Sequence, residues 1–273
     1  MPEENESRLS KKIFDIIFPD DIYCAGCGRP VDRGRLYSLC DECVDSIIWA
    51  NRKTCRICGK PLESWYPSDV CSGCARSVHY TDGGVVCFVY QGCVRDMIKA
   101  LKYNGKKYLA RLMGRILADR IIYEGLDFDI CVPVPMYGPK EKKRGYNQAA
   151  LIAQFLCGFL DKPFRDDLLV RTRGTRPMNR LSPAARRNNI AGAFSVPAEP
   201  AKDVEGRSIL LVDDIYTTGS TVNECAKVLK RAGASAVFTA VMASGRNQRR
   251  LPEERENAEK TEEISRESTG YEK

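Results

Sequence analysis

The 273-residue chain contains one histidine, His79, and only two tryptophans. A lone imidazole excludes the common histidine-based acid–base and nucleophilic chemistries as the basis of function. His79 itself reads as a surface or packing residue. No apolar run approaches the roughly 18 residues that a membrane-spanning helix needs. The opening residues, MPEENESRLSKKIFDIIFPD, are acidic and polar before a short apolar stretch, unlike a secretory signal. These absences lead to the expectation of a cytoplasmic protein with no transmembrane segment. Acidic residues are also missing from 168–198, which carry Arg171, Arg173, Arg176, Arg180, Arg186 and Arg187.

Charge is unevenly placed. From Leu251 onward there are eight Glu against four Lys or Arg, a net of −4, so the first 250 residues of this +7 chain carry +11. A basic body points to a polyanionic partner, either nucleic acid or a phosphorylated substrate.

Cysteine, by contrast, is abundant at thirteen residues, and eight of these form CxxC pairs. CAGCGRP at Cys24 recurs as CRICGKP at Cys55, and CDEC (Cys40, Cys43) recurs as CSGC (Cys71, Cys74), each at an offset of 31. Redox thiols would suit a single CxxC, but a duplicated pair of pairs is the pattern of metal ligation. Zinc takes four thiolates in a tetrahedron, and each CxxC knuckle presents two of them. Two structural zinc ions are therefore expected, one on Cys24, Cys27, Cys40 and Cys43 and one on Cys55, Cys58, Cys71 and Cys74. Spacing alone leaves open whether ligands interleave between the repeats. Two such sites would lower the body charge toward +7. The remaining cysteines, Cys87, Cys93, Cys131, Cys157 and Cys225, fall in apolar or helical settings and read as small core residues.

From about Val85 strand-like and helix-like stretches alternate. VVCFVY, FDICVPVP, RSILLVDD and SAVFTAVMA read as buried strands. CVRDMIKALKY, KKYLARLMGRILADRIIYEG, NQAALIAQFLCGFL and residues 219–232 have helical periodicity. The expected class is α/β, a parallel sheet with helices on both faces. Residues 171–192 read as a long loop, and a loop of that length in a compact domain is usually functional. Residues 246–273, poor in apolar side chains and rich in charge, read as a disordered tail.

In an open α/β sheet, ligands bind at the carboxyl ends of strands. LLVDDIYTTGST (residues 210–221) places Asp213 and Asp214 at such an end. Thr217, Thr218, Gly219, Ser220 and Thr221 follow and lead into a helix. A glycine, hydroxyls, loop amides and a helix N-terminus converge naturally on one anion. The loop lacks the lysine of a P-loop. The two acids repel phosphate but can accept hydrogen bonds from vicinal hydroxyls or hold hydrated magnesium. Phosphate on one side and a diol on the other describe a ribose 5-phosphate.

VDDIYTTGST closely resembles the phosphoribosyl pyrophosphate (PRPP) signature of type I phosphoribosyltransferases. The CxxC repeats, LKYNGKKYLA, VPVPMYGPKEKKRGYNQA, LVRTRGTRPMNRLSPAARRNNIAGAF and the signature then follow in the order of the ComF/GntX family. The resemblance implies a type I phosphoribosyltransferase fold (residues 81–245) preceded by a double zinc ribbon (21–80), with an N-terminal segment (1–20) and the charged tail (246–273) outside both. It implies PRPP with magnesium as ligand and a part in DNA uptake during natural competence, with competence-machinery proteins as partners. It differs from the family at Met178, where Gln is usual. VPVPM, with Pro135 and Met136, resembles the loop that holds pyrophosphate in related enzymes. Lys140, Lys142, Lys143 and Arg144 follow and supply neutralising charge. Arg173, Arg176, Arg186 and Arg187 are candidates for a lid over PRPP or for contacts to single-stranded DNA. Tyr137 and Tyr146 are either base-stacking platforms or core. The alternative function is an active phosphoribosyltransferase with an unidentified metabolite acceptor. No glutaminase-like N-terminal half is present, which argues against amidophosphoribosyl transfer.

Overall fold

The computed structural model describes residues 22–32, 34–176 and 182–246. The expectations for segment 1–20, for the tail from 247 onward and for Met178 and Arg180 lie outside these residues.

The Val- and Ile-rich runs form a four-stranded, fully parallel sheet. Its members are β1 (Gly83–Val89), β2 (Ile130–Pro133), β5 (Ser208–Tyr216) and β6 (Ala236–Ser244), in the order β1-β6-β5-β2. Two short strands, β3 (Val170–Arg171) and β4 (Phe194–Ser195), pair antiparallel to one side. The helices are α1 (Asp41–Ser46), α2 (Gly92–Tyr103), α3 (Leu109–Glu124), α4 (Gly138–Arg144), α5 (Gln148–Leu160), α6 (Pro183–Ile190) and α7 (Ser220–Arg231).

Strand residues alternate between two apolar cores, as the pleat requires. Leu210 and Val212 face α2, α3 and α5, where Val94, Met97, Ile98 and Leu101 give α2 its buried stripe. Ile209 and Leu211 face α7, which contributes Val222, Cys225, Ala226 and Leu229. Cys87, Cys131, Cys157 and Cys225 are buried and Cys93 is half-buried, as expected of small core residues.

The cysteine repeats share these same cores. Cys24, Leu39, Cys43 and Ile47 pack with α2 and α3, while Cys55, Cys58, Leu62, Tyr66, Cys71 and Cys74 pack with α7 on the opposite face. The chain between the repeats crosses the edge of the sheet. Ala50 N–H donates to Cys87 O at 2.8 Å, Val89 N–H donates to Ile48 O at 2.9 Å, and Trp49 pairs antiparallel with Phe88. On the far edge, residues 163–165 run beside Cys131 through bonds of 2.9 and 3.0 Å.

The short elements α1, α4, β3 and β4 are not expected from the sequence, and Arg171, read as loop, lies in β3. Part of the segment 171–192, expected to be a loop, folds as α6. Ser182 Oγ caps the helix by accepting from Ala185 N–H at 3.3 Å, and Pro183 opens it. A serine cap followed by proline is a helix start, but the Arg- and Asn-rich composition masks it.

Candidate phosphate-binding site and metal centres

Consecutive strand residues point to opposite faces, so Asp213 and Asp214 diverge at the end of β5. Asp214 is 3% exposed. Its carboxylate pairs with Lys102 Nζ at 2.5 Å, from the last turn of α2. Burial works against the Lys102 charge, but the Asp214 carboxylate outweighs it and holds the ammonium above its ordinary range. Lys102 belongs to LKYNGKKYLA, a stretch read only for resemblance, and no local pattern marks it as a partner of the acids. Asp213 remains half-buried and accepts from Asp214 N–H at 2.8 Å. Burial, reinforced by the Asp214 charge, pushes its carboxyl well above the usual carboxylate range.

Beyond Tyr216 the chain turns through Thr217 and Thr218 into α7. Gly219, at φ 74°, is the N-cap residue of the helix and supplies no side-chain cap. The first amides of α7 are thus left for an external acceptor at the positive end of a 12-residue helix. Thr218 Oγ1 lies 2.9 Å from Ser220 Oγ.

β2 ends beside this loop. Val134 N–H donates to Val212 O at 2.9 Å, which carries the Val134–Pro135–Met136 turn alongside β5. Buried Asn147 fixes the turn from behind, donating to Val134 O at 3.0 Å and accepting from Ala149 N–H at 3.0 Å. Lys140, Lys142 and Lys143 on α4 are exposed. Arg144 turns back, its guanidinium 5.3 Å from the Tyr103 ring centroid and bonded to Gln148. Tyr146 is core: it is buried, with its hydroxyl donating to Leu101 O and Lys107 Nζ 4.8 Å from its ring centroid.

The arginine segment docks against this end of the sheet. A Cβ on Gly174 would lie 3.0 Å from the Tyr137 ring. Asn189 braces the segment, accepting from Arg176 N–H at 3.1 Å and donating to Arg176 O at 3.0 Å. Arg173 donates to Ala191 O at 2.6 Å, while Arg187 is exposed at the mouth of a cleft of about 470 Å³ that it shares with Arg76, His79, Thr218, Gly219 and Ser220. His79 is half-buried, with Nε2 3.1 Å from Cys74 O.

Within each cysteine quartet the sulfurs lie within 4.8 Å of one another, and each quartet comes from a single repeat, so ligands do not interleave. A tetrahedral zinc with Zn–S bonds of about 2.3 Å needs sulfurs about 3.8 Å apart. Cys27 and Cys40 are 3.7 Å apart, and Cys58 and Cys71 are 3.8 Å apart. The Cys40 amide donates to Cys24 Sγ and the Cys71 amide to Cys55 Sγ, both at 3.3 Å, so the duplication extends to the hydrogen bonds of the knuckles. Both quartets therefore fit zinc. They differ in access: Cys27 is exposed, whereas all four cysteines of the second quartet are buried.

Residues 147–268 match the phosphoribosyl transferase domain and residues 13–75 the double zinc ribbon domain. The parallel sheet, the acid-and-hydroxyl loop at the end of β5 and the paired thiolate sites thus define a phosphoribosyltransferase-type α/β domain joined to a double zinc ribbon. Among similar proteins are competence protein F of Haemophilus influenzae (34% identical over 147 residues, 52% of this chain and 63% of that one) and the DNA utilization protein YhgH of Escherichia coli K12 (33% over 153 residues, 54% and 66%). Competence protein ComFC of Bacillus subtilis is 25% identical over 151 residues, 55% of this chain and 58% of that one. The chain is thus similar to competence and DNA utilization proteins, with a phosphoribosyl transferase domain and a double zinc ribbon domain matched in one sequence. Its alignments span just under two thirds of the length of the first relatives named.

Proposed function

We propose that the protein binds PRPP with magnesium at the carboxyl end of β5 and β2 and couples this to handling of single-stranded DNA in natural competence. The observation that carries the reading is the convergence at one sheet end of a half-buried carboxylate, Asp213, with the uncapped N-terminus of α7. Thr217, Thr218, Gly219, Ser220 and Thr221 would hold the 5-phosphate through hydroxyls and amides. Asp213 would accept from the ribose hydroxyls, and Asp214, fixed by Lys102, would set the local charge. Pro135, Met136, Lys143 and the neighbouring α4 lysines would take the pyrophosphate. Magnesium, when bound with the ligand, neutralises pyrophosphate charge.

The names of the relatives and the acid-free arginine segment beside the site support DNA as a partner, with Arg173, Arg176, Arg186 and Arg187 as phosphate contacts. The intact acid pair equally supports turnover, in which pyrophosphate leaves ribose C1 through an oxocarbenium-like transition state and an unidentified acceptor adds.

Calorimetry of PRPP with magnesium on the wild type and on Asp213→Asn tests the site. The single variant is chosen because Asp214→Asn would strand the Lys102 ammonium. Equal affinity in the two proteins refutes the assignment. Pyrophosphate release from PRPP in a metabolite pool separates an enzyme from a binding protein.

A further inference from the structure

A second acid-free basic stretch lies apart from the arginine segment. Residues 97–118 contain no Asp or Glu and carry Lys99, Lys102, Lys106, Lys107, Arg111 and Arg115. They span the end of α2, the turn 104–108 and the first turns of α3. Lys102 points inward to Asp214. The rest of the turn faces solvent. Lys99, Asn104, Lys106 and Lys107 are exposed, and so are two phenols, Tyr103 at 72% and Tyr108 at 42%. Lys99 and Tyr103 are one helical turn apart, on the side of α2 opposite its buried stripe. Reversing the chain between α2 and α3 needs only Asn104 and Gly105, the glycine at φ 67°. The exposed phenols add nothing to that reversal. The turn is held from beneath by Tyr146, whose hydroxyl donates to Leu101 O and whose ring lies 4.8 Å from Lys107 Nζ. Arg144, expected at the pyrophosphate turn, instead lies over the Tyr103 ring at 5.3 Å from its centroid and leaves the other face open. This surface and the arginine segment flank the sheet end from opposite faces. Leu101, Leu109 and Tyr146 pack in the core shared by α2, α3 and α5, whereas Ile190, Ala193 and Phe194 pack in the core on the α7 side.

We infer that the α2–α3 turn is a docking surface for single-stranded DNA, on which Tyr103 and Tyr108 stack against unpaired bases while Lys99, Lys106 and Lys107 hold the backbone. This rests on the reading of DNA as a partner and extends it to a second face, so that one strand crosses the sheet end between the arginine segment and the turn. Lysines alone would attract any polyanion. Phenols set among lysines favour unpaired bases, because a duplex keeps its base faces stacked on one another and out of reach. A cation on one face of the Tyr103 ring holds that ring in place before a base arrives, which lowers the ordering cost of binding. Each stacked base corresponds to about a 5- to 150-fold change in affinity. Each lysine contact instead adds about 0.7 to the salt slope on a single strand. Stacking and charge therefore leave separate signatures.

The test is fluorescence anisotropy with labelled oligo(dT), an abasic strand of the same length and a duplex, each across a salt series. Tyr103→Ala and Tyr108→Ala should each weaken oligo(dT) by about 5- to 150-fold with the salt slope unchanged. The abasic strand offers no base to stack, so both variants should bind it as the wild type does. Tyr103→Phe and Tyr108→Phe keep the ring and should retain wild-type affinity, which separates stacking from any loss of fold. Replacing Lys99, Lys106 and Lys107 by Gln should flatten the slope by about 2. Wild-type oligo(dT) affinity in both alanine variants overturns the surface while the DNA reading stands. An equal loss on the abasic strand, or equal wild-type affinity for duplex and single strand, overturns the stacking assignment in the same way. A wild type that binds no oligonucleotide at low salt refutes the DNA reading itself, and this surface with it.

Discussion

Lys102→Met is the perturbation whose effect can be worked from the site with least freedom. The pair it breaks is nearly out of solvent, with the Asp214 side chain 4% and the Lys102 side chain 17% exposed, at 2.5 Å. Coulomb attraction at that distance is about 7 kcal/mol at an effective dielectric constant of about 20. Desolvation costs several kcal/mol per ion, so the intact pair adds little net stability. Removing only the ammonium is different, because it leaves a buried carboxylate beside a second acid, Asp213. That half-deletion should cost about 3–5 kcal/mol, a large share of the roughly 5–15 kcal/mol that holds a domain folded. With an m-value of about 2–3 kcal/mol per molar urea, the unfolding midpoint should fall by about 1–2.5 M. The assay is urea denaturation followed by circular dichroism and tryptophan fluorescence. Trp49 reports the sheet edge directly, because its ring lies 4.9 Å from Phe88. Lys102→Met with Asp214→Asn removes both charges and should recover more than half of the loss. A cost below about 1 kcal/mol for the single variant, or strictly additive effects in the double, would refute the argument.

Elemental analysis of protein prepared without chelator should give close to two zinc ions per chain; negligible zinc with titratable disulfides would contradict the two thiolate quartets. Because the Asp213 pKa is raised in the folded state, its neutral form supports stability at acid pH, and that support is lost as pH rises through the folded pKa. Asp213→Asn should therefore gain thermal stability relative to wild type as pH rises from about 4 to about 8 while losing PRPP, and PRPP affinity of the wild type should rise over the same window; a difference in melting temperature independent of pH would contradict this. Replacing Arg173, Arg176, Arg186 and Arg187 by Ala should flatten the salt dependence of single-stranded DNA binding by about 3 in slope, at about 0.7 per lost phosphate contact. Fluorescence anisotropy across a salt series reads the slope, and an unchanged slope with lost PRPP affinity would make the segment a lid only.

The four strands of the parallel sheet were legible because each is a continuous apolar run, a pattern that needs no knowledge of neighbours. The metal sites were legible because the offset of 31 repeats both the ligands and the turn residues around them. The candidate loop stands out by its composition: acids, hydroxyls and one glycine after a strand. What stayed hidden depends on distant partners. Lys102 is an ordinary helix lysine until α2 brings it to Asp214. Tyr146 sits beside a basic cluster in sequence, yet its hydroxyl bonds to Leu101 O in the core. Tyr216 lies inside the signature, but it is buried in one cluster with the cysteines of the second quartet. Residues 47–50 carry the apolar content of a strand but are too few to stand out, and only the free edge of β1 makes them one.

That edge explains why the ribbons sit where they do. A repeat with two knuckles is too small to bury a core. Each repeat gains one by lying on a face of the sheet, the first against α2 and α3, the second against α7. Tyr37 Oη donates to Asp119 on α3 at 2.9 Å, and Asn223 of α7 bridges Val78 O and Tyr80 N at 3.0 and 2.8 Å, so both attachments are polar as well as apolar. The connection between the repeats must then pass over β1, and in doing so it satisfies amides and carbonyls that would otherwise form an exposed pairing edge. Zinc binding supplies folding free energy to the repeats. Through them it supplies the cover of that edge. Stripping zinc should accordingly do more than unfold an appendage: it should expose β1 and drive association of the sheet before the α/β core itself melts.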